Sequence, residues 1–91
     1  GGLSDVAYVA GRLVTAAGDA TVAVGGRCAT GQAPINGVLP PTPAADLTVN
    51  ASYPSDAQGA FDPTHPTSWA FVVSTTSSTP LRVYTVCVPV D

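Results

Sequence analysis

The sequence predicts an all-β fold: a single small antiparallel β-sandwich or flattened barrel of about six strands, closed by one disulfide. Three observations predict it. Strong helix formers are scarce, with no Lys, Glu or Met, while Val, Thr, Ser, Gly and Pro dominate. Nine Gly and nine Pro punctuate the 91 residues at intervals that suit short strands. The only two cysteines, Cys28 and Cys87, each sit at the end of a strand-like run.

The elements follow in order. Strand one covers about residues 5–15, with a bend at Gly11, and Ala16–Asp19 reads as a turn. Strand two, about 20–28, places Val22, Val24, Gly26 and Cys28 on one face, against Thr21, Ala23 and Arg27. A turn at residues 29–32 leads to strand three, about 33–39, which ends at Pro40-Pro41. The stretch 40–45 (PPTPAA) is a semi-rigid loop. Strand four, about 46–53, alternates Leu47, Val49, Ala51 and Tyr53 against Thr48, Asn50 and Ser52. A long loop, 54–67, holds Pro54, Pro63 and Pro66. Strand five, about 68–75, puts Trp69, Phe71 and Val73 on a core face. Residues 76–80 turn the chain, and the low-complexity stretch Ser74–Thr79 reads as a solvated hairpin tip. Strand six, about 81–88, sets Leu81, Val83, Thr85 and Cys87 opposite Arg82, Tyr84, Val86 and Val88, so both its faces are expected to be partly covered.

Cysteines on the apolar parity of two strands suggest one internal bridge and an oxidising compartment. The alternative is two free cysteines buried as small apolar residues. A chain of this length forms one domain, residues 1–91, with a thin stability margin, so a clamp matters. The start at Gly1-Gly2, without Met, reads as a processed terminus or a piece of a larger protein.

Charge excludes some partners. Three arginines (Arg12, Arg27, Arg82) stand against six aspartates, for a net charge of −3. Such a scattered trio does not make the basic footprint that nucleic acid or anionic lipid requires. No apolar run approaches the length of a membrane span, so membrane insertion is not expected.

Several segments occur together in a recognisable order: Cys28-Ala29-Thr30-Gly31, Ile35-Asn36-Gly37-Val38, Ala51-Ser52-Tyr53-Pro54, Trp69 and Tyr84-Thr85-Val86-Cys87. With them, residues 20–88 resemble small disulfide-bonded secreted β-modules of high-GC actinobacteria, a type also seen in phage tail and capsid-surface proteins. The chain departs from that pattern after its first cysteine, and its glycine run is reduced to Asn36-Gly37. The resemblance implies an extracellular β-domain serving as an accessory or adhesive piece of a larger protein. No catalytic residues come with it.

The residues themselves offer little chemistry. His65 is the only histidine, with Asp62 three residues before it, but no nucleophile motif accompanies them. Asp56, Asp62 and His65 fall short of the ligand count that Ca²⁺ or Zn²⁺ requires. Their plainer role is to start turns. No cofactor is expected. Phe61 at the middle of the long loop, His65 beside it and Tyr84 on the non-cysteine face of strand six are the candidate surface contacts. The expected function is a non-catalytic extracellular binding or adhesion module that contacts a glycan or protein surface through loop 54–67 and nearby aromatics. The alternative is a structural virion or cell-surface component, a capsid decoration or tail-surface domain, whose role is self-assembly.

Overall fold

The computed structural model describes residues 5–41 and 46–90. Gly1-Gly2 and residues 42–45 of the Pro-rich stretch lie outside them. Six strands form: β1 (Ala7–Ala10), β2 (Val14–Val24), β3 (Gln32–Val38), β4 (Thr48–Ser55), β5 (Ser68–Leu81) and β6 (Tyr84–Pro89). They make two three-stranded antiparallel sheets packed together, one ordered β1-β6-β3 and the other β2-β5-β4. The expected all-β sandwich is the observed one.

The connections explain why the chain forms two layers. Only β4 and β5 are neighbours in both sequence and sheet; every other link crosses from one sheet to the other. The anticipated bend at Gly11 is the first crossing. The Gly11 N–H donates to the Val83 carbonyl (2.9 Å), and β2 begins only at Val14. The second crossing follows Val24. At Gly25 the backbone comes so close to Thr85 and Tyr84 that an added Cβ would collide with both.

This second crossing corrects one expectation. The chain leaves the strand at Val24, so Cys28 lies in the connection and its parity does not extend back into β2. Ala23 is the buried residue there, and Val22 is 44% exposed on the outer face. The bridge itself is present. Cys28 and Cys87 are joined, with their Cα atoms 5.7 Å apart at a sequence separation of 59. It pins the crossing onto β6, the central strand of its sheet.

Two expected turns prove to be bulges within one long ladder. The β2–β5 register slips between Ala16 and Gly18 and again between Gly18 and Thr21. Gly18 takes a φ of 77°, which glycine adopts without strain. Opposite it, residues 76–78 bulge from β5 and are exposed to solvent. Asp46 secures them, accepting hydrogen bonds from the Thr76 amide (2.7 Å), the Thr76 hydroxyl and the Thr75 hydroxyl (3.1 Å). Turn-forming residues are thus tolerated in mid-strand because side-chain acceptors satisfy them.

The hydrogen bonds from Thr76, side chain first, hold the Asp46 carboxyl below the usual aspartate value. Its contribution is therefore complete above the unfolded pKa of about 3.9. It is lost as pH falls through the lower folded value. We expect Asp46→Asn to lower the denaturation midpoint at pH 7 and to flatten its acid-side decline below about pH 4. Urea melts across pH check both; an unchanged acid limb removes Asp46 from that role.

The core is small. Ala16, Ala23, Phe71, Val73, Leu81 and Val83 form it, with Val14, Leu39, Leu47 and Trp69 packed on its margin. Phe71 and Val73 lie on the expected face, and Trp69 is half-buried beside them. Strand four departs from its alternation. A bulge between Val49 and Ala51 breaks the parity, and Val49 is 43% exposed on this edge strand. β6 is covered on both faces, as expected: Thr85, Val86 and Cys87 are all buried.

Candidate functional site

The long connection between β4 and β5 is an arch built by two aspartates. Asp56 opens it. Its Oδ1 accepts from the amides of Gln58 and Ala60, both at 2.9 Å, while its own amide donates to the Ala60 carbonyl. Gly59, with φ 91°, completes the turn and lies directly on Val22 and Val24 of β2. The arch therefore crosses the outer face of its sheet, over Ala70, which is fully buried on β5. A bridge between Ser55 and Phe61 returns the chain to β4.

Asp62 organises the second half. Its Oδ1 accepts from the His65 amide (3.0 Å), the Thr64 amide (3.2 Å) and the Thr64 hydroxyl (3.3 Å). These bonds, the one from His65 first, hold its carboxyl below the usual range. Both carboxylates thus serve as turn acceptors. The base of the arch closes where Thr67 donates to Ser55, and the Thr67 carbonyl accepts from Cys28. The disulfide-bearing crossing consequently supports the arch from below.

Two aromatic rings meet on its β4 side. Tyr53 donates its hydroxyl to the Gly59 carbonyl (2.7 Å), which fixes its ring. Phe61 meets that ring edge-on, with centroids 6.0 Å apart and an interplanar angle of 84°. Phe61 remains 64% exposed, and His65 is exposed further along the arch. Tyr84 is elsewhere. It pairs with Ala10 and Val38, sharing with Tyr8 the outer face of the other sheet. The structure brings Phe61 and His65 onto one arch and sets Tyr84 on the opposite side of the sandwich.

A groove flanks the arch at the edge of β2, with a volume of about 480 Å³. Arg12, Arg27, Gln58 and Ser68 line it, together with Val22 and Val24. Sequence reading missed this group because its members come from three separate connections and the start of β5. The one available signal was the repeated Gly-Arg pair, Gly11-Arg12 and Gly26-Arg27, at the two crossings.

No protein-family model matches the chain, and no curated protein or solved structure shows significant similarity to it.

Proposed function

We propose that this protein is a non-catalytic binding module of an extracellular protein, which contacts a glycan or a protein surface through the arch 54–67. The observation that carries this reading is Phe61: a large apolar ring, 64% exposed, held edge-on by an anchored tyrosine. Exposing such a ring is unfavourable in water, and contact with a partner reverses that cost. The arch is already ordered by Asp56 and Asp62, so binding sacrifices little loop entropy. Long connections in small domains are commonly functional. The disulfide fits an extracellular or virion-surface setting. No helix among the described residues is long and apolar enough to cross a membrane.

The test is retention on insoluble polysaccharide or on a protein partner. Phe61→Ala is expected to weaken retention about tenfold, the equivalent of roughly 1.4 kcal/mol. The same variant should melt within a few degrees of the parent, since the ring is exposed. Retention that survives this substitution removes the arch from the contact.

A second reading, self-assembly as a virion or cell-surface component, draws on a different observation. The outer face of the other sheet exposes Tyr8 (65%), and Ile35 is 56% exposed at the β3 bulge. Ordered oligomers on a sizing column, without retention on any ligand, would favour that reading.

A further inference from the structure

We propose that the groove at the edge of β2 binds a sugar residue carrying an anionic oxygen group, a carboxylate or a sulfate. The proposal rests on the reading of the protein as a binding module and names the ligand class for a second part of the same surface.

Charge is the first argument. The chain has three cations and a net charge of −3, yet two of the three cations line this one groove. Both Arg12 and Arg27 are exposed, and neither makes an ion pair among the described residues. Asp56, whose turn forms one wall, accepts the Gln58 and Ala60 amides on its Oδ1. A guanidinium presents a planar fork that matches carboxylate and sulfate oxygens, so two of them beside one groove form an oxyanion receptor.

Backbone geometry is the second argument. Each arginine follows a glycine whose amide is tied to the sheet β1-β6-β3: Gly11 donates to Val83, just before β6, and Gly26 donates to Val9 of β1 (3.0 Å). A Cβ at Gly11 would strike the Val24 carbonyl, and one at Gly26 would strike Val9 and Ala10. Only glycine allows the two crossings to approach so closely. That approach is what delivers two distant arginines to one place on fixed backbone.

The third argument is an orphan. Ser68 is fully buried and lines the groove, and its hydroxyl is the one buried side-chain polar atom among the described residues without a hydrogen-bond partner. Its neighbour across the ladder, Ser55, is satisfied by the Asp56 carbonyl (2.8 Å). Buried polar groups normally have partners, so a lone one at a groove marks a place where a ligand or a water completes the bonding.

These groups together fit a sugar. Gln58 offers both a donor and an acceptor, Ser68 offers a hydroxyl, and Val22 and Val24 offer an apolar surface for ring C–H groups. The volume lies within the usual range for small-molecule sites, about 300–1,000 Å³. An extended acidic peptide fits less well: the strand beside the groove runs only to Val24 before the chain leaves its sheet, which gives a peptide a short edge to pair along.

Affinity electrophoresis of the full chain tests the proposal, with polygalacturonate, dextran sulfate, neutral dextran and polyglutamate as probes. Retardation by either acidic polysaccharide, or both, is expected, and neutral dextran and polyglutamate should retard the chain at least tenfold less. Arg12→Gln/Arg27→Gln should weaken the acidic binding at least tenfold with an unchanged Tm, because both side chains are exposed. Ser68→Ala should weaken binding without lowering the Tm. Comparable retardation by polyglutamate would reassign the groove to acidic peptides and overturn the proposal. So would no retardation by either acidic polysaccharide, or retardation unaffected by the double substitution. Binding that is lost in Phe61→Ala but indifferent to both arginines would leave the arch reading standing and remove the groove.

Discussion

Serine in place of both Cys28 and Cys87 is expected to destabilise the protein by about 4 kcal/mol, on the loop-entropy account of a bridge spanning 59 residues. For a domain of this size that corresponds to a fall in Tm of roughly 15–30 °C. The loss should not be uniform. Cys28 also donates its amide to the Thr67 carbonyl at the base of the arch, so the arch loosens together with the clamp. Thermal melts with and without reductant give the first quantity. Hydrogen exchange at the Thr67 and Asp62 amides gives the second. An intact mass showing no loss of two hydrogen atoms, or a Tm indifferent to reductant, would overturn the role assigned to the bridge.

Phe71→Ala should be comparably severe, at about 3–5 kcal/mol. In a core otherwise made of Ala, Val and Leu, this is the one buried aromatic ring among the described residues. It stands on β5 and packs across the sandwich on Gly37 of β3. The same contact predicts a coupled pair. A Cβ at Gly37 would collide with both Trp69 and Phe71, so Gly37→Ala should cost about 1–3 kcal/mol by overpacking. Joined with Phe71→Ala, part of that strain is relieved, and the double variant should lose less than the sum. Urea denaturation of the four proteins closes the cycle. Strict additivity would show that the sheets do not meet through this residue.

Much of this architecture was legible in the chain. The scarcity of helix formers and the Pro/Gly punctuation indicated short strands, and six formed. The alternation at Trp69, Phe71 and Val73 identified the inner face of β5. The cysteine placement indicated the bridge. Three features were hidden because they depend on contacts distant in sequence. Gly18-Asp19 and Thr76–Ser78 carry turn chemistry, and only the presence of Asp46 and of each other turns them into bulges. Parity counted back from Cys28 failed because the chain leaves its sheet at Val24. At the site, Phe61 was visible as an aromatic in a long loop. Its placement beside Tyr53, and the meeting of Arg12 with Arg27, follow from crossings that no local pattern specifies.

The order of the strands has a consequence for how the molecule is made. The sheet β1-β6-β3 takes its centre from the last strand and its two edges from the first and third. Until β6 is available, β1 and β3 have no partner, and neither does Cys28. Only the β4–β5 pair joins strands adjacent in the chain, so nearly all ladder formation waits on distant segments, a pattern that slows folding. The sheet β2-β5-β4 can pair before β6 is present, whereas the other sheet and the cross-link are completed together, only once the final strand is in place.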